Sequence, residues 1–301
     1  MDKISVVIVT WNAQTFIPRC LDSVFAQNVK NMDIHVVDNG STDGTLKILR
    51  QYSKSINLIE NHTNKGFCHA NNQAIAKASG EFVFTLNSDI ILENNYLFRL
   101  LEFLKENPEV GMVQGKLLRM DKVTIDGLGL RMDMLMRLHN IAEGQKDSAE
   151  FNSPIEIFGP CAAAALYRRE LLKDVSFKEE VFDERFFFLV EDFDLAWRAR
   201  KRGWKAACVP SAWCYHYRDS SNHKSSFRQY LSLRNRYYLL IKNLDFNLKS
   251  LVRIVFAIFF YDLPRLLLIM LVNRKALKAF KEVRQYYPQL IKKRYSGKLM
   301  R

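Results

Sequence analysis

Over the first 120 residues the chain alternates between two hydrophobic periods. Ile4 to Thr10 is a β-branched run, Phe16 to Phe25 carries apolar residues at helical spacing, and Ile34 to Asp38 is a second short apolar strand. The unit then repeats: Thr45 to Tyr52 suits a helix, Ile56 to Ile59 a strand, His69 to Ala78 a helix, and Glu81 to Leu86 a strand that stops at Asn87-Ser88-Asp89. Such alternation predicts an α/β fold, a mainly parallel sheet flanked by helices on both faces. In open sheets of this kind ligands sit beyond the carboxyl ends of the strands, so Thr10 to Asn12, Asp38 to Ser41 and Asn87 to Asp89 should converge on one crevice.

Further along the pattern changes. Asp121 to Ser153 reads as loop and is rich in methionine, which suits an adaptable flap over an apolar acceptor or plain loop packing. Trp197 and Trp204, seven apart on the helix that follows Glu191, read as core. Segment 251–272, LVRIVFAIFFYDLPRLLLIMLV, is interrupted by Arg253, Asp262, Pro264 and Arg265, so no unbroken apolar run approaches the roughly 20 residues that span a bilayer. With the basic stretches NRKALKAFKEVRQ and IKKRYSGK behind it, this end has the composition of an interfacial anchor on anionic lipid. The alternative is a helical pair packed on the catalytic domain or on a second subunit of a homodimer. The division expected is a catalytic domain over 1–240 and a basic, amphipathic helical region over 241–301.

Charge sharpens that reading. The 301 residues carry a net +13, but from Arg198 onward 24 Lys and Arg face four acids, a net +20 that leaves −7 for residues 1–197. The apolar residues between the basic ones select a membrane surface over nucleic acid as the partner. Five scattered cysteines with no CxxC indicate neither a disulfide framework nor a zinc site, and the opening MDKISVVIVTWN lacks the apolar core of a signal peptide. The expected location is cytoplasmic, peripheral on the inner face of the cell membrane.

No GxGxxG follows the first strand, where the chain reads TWNAQTF, and no GxxxxGK[ST] occurs, so phosphate must be held another way. An aspartate ending a buried strand can hold a divalent cation that bridges two phosphates, and Asp89 in NSD fits; an Asx turn facing solvent produces the same three residues. Glu191, Asp192 and Asp194 are the best candidates for proton chemistry, although acids also favour the start of a helix for electrostatic reasons.

Together, SVVIVTWN (5–12), VVDNGSTDGT (36–45), NKGFCHANNQAI (64–75), LNSDIIL (86–92), FGPCAAAALYRRELL (158–172) and VEDFDLAWRARKRGWKAACVP (190–210) resemble, in order and spacing, the family 2 glycosyltransferases of GT-A fold. The likeness covers roughly residues 3 to 240. Within the family, IDGLGL (125–130), FGPCAAAALYRRE and the ED motif are most similar to bacterial rhamnosyltransferases of cell-wall or O-antigen polysaccharide. The resemblance implies inverting transfer of a sugar, rhamnose from dTDP-rhamnose, from a nucleotide diphosphate donor to a hydroxyl of a lipid-linked or saccharide acceptor, assisted by Mg²⁺ or Mn²⁺.

Position by position, the resemblance puts Thr10, Asn12, Asp38 and Asn39 at the nucleoside-binding edge. Ser41 and Asp43 read instead as caps of the next helix. Asn64, Lys65 and Gly66 match a donor-facing turn, with Lys65 either a diphosphate contact or a solvated lysine. Asn87, Ser88 and Asp89 match the DxD motif with its first acid replaced, which implies a metal that binds together with donor. His216 matches a further metal ligand, the alternative being a satisfied core histidine. Asp192 matches the general base, with Glu191 crowding it and raising its pKa. Arg234 and Arg236 are candidates for a diphosphate clamp or for a lipid-facing or solvated role. Two other classes stay open: a nucleotidyltransferase, which would want a Gly-rich basic loop after the first strand, and a non-catalytic nucleotide-sugar or polysaccharide-binding subunit, in which the ED pair would be structural.

Overall fold

The computed structural model describes residues 2–218, 223–245 and 247–296, so the end of the basic tail, 297–301, lies outside the described residues. The alternating pattern becomes β1 (Ile4–Thr10), α1 (Ile17–Phe25), β2 (Met32–Asn39), α2 (Thr45–Gln51), β3 (Asn57–Asn61), α3 (Phe67–Lys77) and β4 (Phe82–Asn87). There follow β5 (Ile90–Leu92), α4 (Tyr96–Glu106), β6 (Val110–Arg119), β7 (Ile125–Gly127), β8 (Leu130–Met132), β9 (Leu138–Asn140), β10 (Ile155–Glu156), β11 (Ala164–Arg168) and α5 (Arg169–Val175). The chain continues through α6 (Glu191–Lys201), β12 (Lys205–His216), α7 (Ser225–Asn243), α8 (Leu248–Ala257), α9 (Leu263–Val272) and α10 (Lys278–Ser296).

The main sheet runs β10-β12-β6-β11-β4-β1-β2-β3, with β5 beside β12 and β7 beside β6. It is parallel from β3 to β4, where helices supply the crossovers that parallel pairing requires. The other half is mixed, because β11 enters antiparallel to both β4 and β6. Strand β1 shows why both faces are covered: Ile4, Val6 and Ile8 join the buried cluster that includes Leu21 of α1 and Leu97 of α4, while Val7 joins the cluster that includes Ala74 of α3 and Leu195 of α6. A strand apolar on both pleats needs helices on both sides.

Asp121 to Ser153 is more ordered than its composition suggests. It contains β7 and the β8–β9 hairpin, and Met136 is buried. The boundary expected after residue 240 falls inside α7, and the C-terminal region is part of the same body. Tyr238 and Leu239 of α7 and Leu290 of α10 sit in the same buried cluster as Val7. Lys242 of α7 and Lys293 of α10 both reach Asp183, at 2.7 and 2.8 Å.

Leu248–Val272 is one helical stretch of 25 residues, long and apolar enough to cross a membrane; an 18-residue window within it has mean hydropathy 2.1 and is only 17% buried. Counting unbroken apolar residues missed it, because the polar interruptions dock instead of breaking the helix. A π-helical turn, Ile258–Asp262, links α8 and α9 just ahead of Pro264, whose missing amide removes one helical bond. Arg253 donates to the Asp133 carbonyl (2.8 Å), Asp262 pairs with Arg236 (2.6 Å), and Arg265 donates to Ser232 Oγ (2.9 Å). The opposite face is bare: of the 21 large hydrophobic side chains exposed among the described residues, fourteen lie between Leu248 and Val272.

Candidate functional site

Parallel register brings the ends of β1, β2 and β4 together, with Thr10 beside Asp38 and Val9 beside Asn87. Above them lies a pocket of about 320 Å³ whose lining includes Trp11, Asn12, Asn39, Asn64, Asn87, Ser88, Asp89 and His216. Asn12 adopts a left-handed conformation, φ 53°, and its Oδ1 accepts the Thr42 amide at 2.8 Å while its own amide donates to Ser41 Oγ at 2.9 Å. These bonds lock the β1 and β2 loops together.

Thr10 and Asp38 lie beneath the pocket. Both are buried, and the Asp38 carboxylate accepts from Thr10 Oγ1 (3.3 Å), the Ser41 hydroxyl and the Ser41 amide (3.1 Å). Asp38 thus shapes the turn, and Ser41 serves that turn, whereas Asp43 accepts the Thr45 amide at the start of α2 (3.0 Å). Asn39 builds the wall: its Nδ2 donates to Asn64 Oδ1 at 3.0 Å, and its Oδ1 accepts the Lys65 amide at 3.1 Å. The Lys65 side chain is exposed and outside the lining. Gly66, φ 91°, cannot be replaced, since a Cβ there would sit 2.5 Å from the Phe187 ring.

Asp89 and His216 form the charged centre. His216 ends β12 opposite Ile90, which brings its Nε2 to 3.3 Å from Asp89 Oδ2, while its Nδ1 lies 2.8 Å from Asp126 Oδ2. Burial opposes charge on the imidazole, but the bonds to Asp126 and Asp89 outweigh it and hold His216 up at about 9. A histidine fixed by a carboxylate on one nitrogen and facing a second carboxylate with the other is a metal-ligand arrangement, and Asp89 and His216 fit a small divalent cation as two of its ligands. Among the described residues no three His, Cys, Asp or Glu side chains are arranged to hold a metal ion by themselves, so other donors would have to complete the shell. Asp126, in the IDGLGL stretch, was not singled out from sequence as the residue orienting His216; an acid in a strand-like apolar run was the available signal.

The second pocket, about 440 Å³, contains Glu191, Asp192 and Cys161, and shares Asn87, Phe188, Leu189 and His216 with the first. Leu138, His139, Asn140 and Glu143 also line it, so the stretch Asp121 to Ser153 borders this pocket. Asp192 is half-buried and accepts its neighbour's amide, Phe193 N, at 2.8 Å. Burial raises both carboxyls above the ordinary range, Glu191 the further. Burial is the largest cause of both rises, and the charge of the adjacent carboxylate adds to that of Glu191. Glu191 Oε2 is buried with no hydrogen-bond partner, as befits a carboxyl held neutral. Asp194 is structural, bonded to Arg198 (3.0 Å), Lys242 (2.9 Å) and Asn243 (2.8 Å).

The segment that delivers Asp192 is strained. Phe187, Leu189 and Val190 all have positive φ, 65°, 69° and 76°, costly above all for the β-branched Val190. Helix α7 holds it there. The two hydrogens of Asn235 Nδ2 are shared among the carbonyls of Phe186 (3.0 Å), Phe188 (2.9 Å) and Leu189 (2.6 Å), and Arg234 donates to those of Arg185 (2.7 Å) and Phe186 (3.0 Å). The expected diphosphate clamp is therefore corrected. Arg234 is buried on these carbonyls and Glu282 (2.9 Å), and Arg236 on Asp262 and the Met136 carbonyl; neither lines the pocket of Asp89. Asn235 between them, which holds the 186–189 segment from α7, was not singled out from sequence, where an asparagine inside a helix carries no signal of that role.

Residues 5–176 match the family described as Glycosyl transferase family 2. Similar curated proteins include the poly-beta-1,6-N-acetyl-D-glucosamine synthase of Staphylococcus epidermidis, 23% identical over 217 residues, and that of Staphylococcus aureus (strain COL), 22% identical over the same length; each alignment covers 71% of this chain and 50% of the relative. The chain spans about half the length of these relatives. Among solved structures, S. aureus TarS 1–349 in complex with UDP-GlcNAc superposes with a TM-score of 0.57 at 22% identity, covering 86% of this chain and 73% of that one. GalNAc-T7 with UDP, GalNAc and Mn²⁺ gives 0.63 at 15% identity, covering 82% and 49%. These structures share the GT-A-like fold, a mixed sheet flanked by helices. With more than half of its length matched, the chain belongs to glycosyl transferase family 2 and is a glycosyltransferase.

Proposed function

We propose that the chain transfers a sugar, with inversion, from a nucleoside diphosphate donor in the Asp89–His216 pocket to an acceptor hydroxyl in the Asp192 pocket. The observation that carries this is the shared wall: Asn87 and His216 border both pockets, so a donor on one side and a hydroxyl on the other would meet there. The acceptor oxygen bonds to the anomeric carbon as the bond from that carbon to the diphosphate oxygen breaks. The hydroxyl proton passes to the Asp192 carboxylate, and the nucleoside diphosphate leaves. Asp192 suits the task because burial makes its carboxylate more basic than an exposed one. A Mg²⁺ or Mn²⁺ held by Asp89 and His216 would take up the negative charge of the departing diphosphate. Complexes of the neighbours with UDP, UDP-GlcNAc and Mn²⁺ support this reading of donor and metal. The rhamnose donor expected from the central motifs finds no such support, since the curated relatives are named for N-acetylglucosamine.

The bare face of α8 and α9 supports a place at a membrane surface. Arg253, Asp262 and Arg265 tie the helix lengthwise to the body, which favours lying in the interface over crossing it, as drawing the Asp262–Arg236 pair into lipid would be costly. Calorimetric titration of UDP, dTDP and GDP with Mn²⁺, repeated in EDTA and with Asp89→Ala, tests the donor site. Metal-dependent binding lost in Asp89→Ala is expected; undiminished binding in EDTA would overturn the metal assignment.

A further inference from the structure

Helices α7 and α9 enclose a third pocket of about 450 Å³, lined by Leu189, Arg228, Gln229 and Ser232 on one side and by Arg265, Leu268, Ile269 and Val272 on the other. The two helices run antiparallel along it, since Arg265 bonds Ser232 at one end and Asn273 bonds Gln229 at the other. The α9 residues fall at i, i+3, i+4 and i+7, a single helical stripe that starts at a guanidinium and becomes apolar. At its inner end the groove shares Leu189, Ser232 and Arg265 with the pocket of Asp192. At its outer end Leu268 and Val272 are 61% and 67% exposed on the bare apolar face. Arg228, which also borders the pocket of Asp89, stands one turn from Ser232 on α7, roughly 6 Å along the axis, and among the described residues no carboxylate lines the groove.

An amphiphile is the occupant that satisfies both ends. We propose that this groove binds the phosphate and first chain units of a glycosylated long-chain alcohol phosphate, with its anionic head beside Arg265 and Arg228 and its sugar hydroxyl presented to Asp192. The inference rests on the reading of Asp192 as base and of α8–α9 as the membrane face. It names the acceptor class: a phosphate ester whose tail stays in lipid while its sugar reaches the site. Arg265 suits the head because its fork of N–H donors spends one on Ser232 Oγ and matches phosphate oxygens with the rest.

The test uses the full chain and three probes: farnesyl phosphate below its micellar concentration, farnesol, and inorganic phosphate. Calorimetry should show farnesyl phosphate binding at least tenfold more tightly than either fragment. Arg265→Gln and, separately, Leu268→Glu should each weaken it about tenfold or more, the first by removing the charge-assisted bonds and the second by placing like charge in the groove. UDP with Mn²⁺ is titrated against the same preparations, and its affinity should not change, because neither residue lines the donor pocket. Farnesyl phosphate affinity unchanged in both variants overturns the proposal, as does inorganic phosphate binding equally well, which would mark a plain anion site. If UDP binds and farnesyl phosphate does not, the groove assignment alone fails; if UDP does not bind either, the donor reading fails with it.

Discussion

The Arg236–Asp262 pair gives the most direct test of how the C-terminal helices are attached. Both side chains are nearly sealed from solvent, 3% and 4% exposed, and the pairing is two-pronged, with Nε to Oδ1 at 2.6 Å and Nη2 to Oδ2 at 3.1 Å. Asp262→Leu leaves a buried guanidinium without its counter-charge, a loss on the order of 3–5 kcal/mol. At roughly 2–4 °C per kcal/mol for a domain of about this size, that lowers Tm by on the order of 10 °C. The double variant Arg236→Met/Asp262→Leu removes both charges and should recover most of the loss, so the cycle reports a large coupling. Melting is followed by circular dichroism in non-ionic detergent, which keeps the bare face of α8–α9 covered in all variants. A diphosphate clamp at Arg236 would behave differently, with Arg236→Met weakening UDP binding and Asp262→Leu changing stability little. That pattern, or a double variant as unstable as the two losses added, would refute the structural assignment.

Glu191 should reveal itself through pH. Its carboxyl is raised in the folded protein, so the stability it contributes is complete below the unfolded value of about 4 and is lost as pH rises through the raised one. Glu191→Gln should therefore gain stability relative to wild type across that window, measured by urea midpoints at several pH values; parallel curves would contradict a raised carboxyl. Asp192 must be ionised to accept a proton, so the acid limb of kcat/KM should lie above the ordinary aspartate range, and a limb within that range would contradict a buried base. Asn235→Ala leaves the Phe188 and Leu189 carbonyls of the strained segment without this donor and should cost about 2 kcal/mol at roughly 1 kcal/mol per bond, with transfer reduced more than UDP binding; equal retention of both would deny Asn235 a positioning role. Leu267→Asp/Leu271→Asp, at positions 63% and 81% exposed, should abolish sedimentation with anionic vesicles without lowering Tm, and unchanged sedimentation would argue against a membrane face. Deleting 250–301 would not serve for that purpose, since Leu290 of α10 is core.

The parallel half of the fold was legible because each strand and helix there carries its own hydrophobic period. Strand β11 was not, as AALYR offers no alternation and its place between β4 and β6 depends on pairing across distant sequence. In the site, Asp89 and the acids at 191, 192 and 194 stood out by their chemistry, whereas Asn87, His216 and the choice of Asp192 as base came from the resemblance to the family. Residues acting through others were not legible: Asp126 and Asn235 have meaning only once His216 and the carbonyls of 186–189 are in place. Asp38 and Thr10 show that polar residues at a strand end can also be spent on the turn itself. The polar interruptions of 251–272 misled for a related reason: a charge in an apolar helix breaks it only if nothing receives the charge, and here Arg236 and Ser232 do.

The central claim is that Asp192 takes the acceptor's proton, and Asp192→Asn separates that role from a purely structural one. Asparagine keeps the size, and its Oδ1 can still accept the Phe193 amide, so α6 should begin as before. Sugar transfer and UDP–Mn²⁺ affinity are measured on one preparation. Transfer should fall by roughly 10²- to 10⁴-fold while affinity stays within about twofold, because the donor pocket does not include Asp192. Transfer within a few fold of wild type would contradict the account and move the search for the base elsewhere.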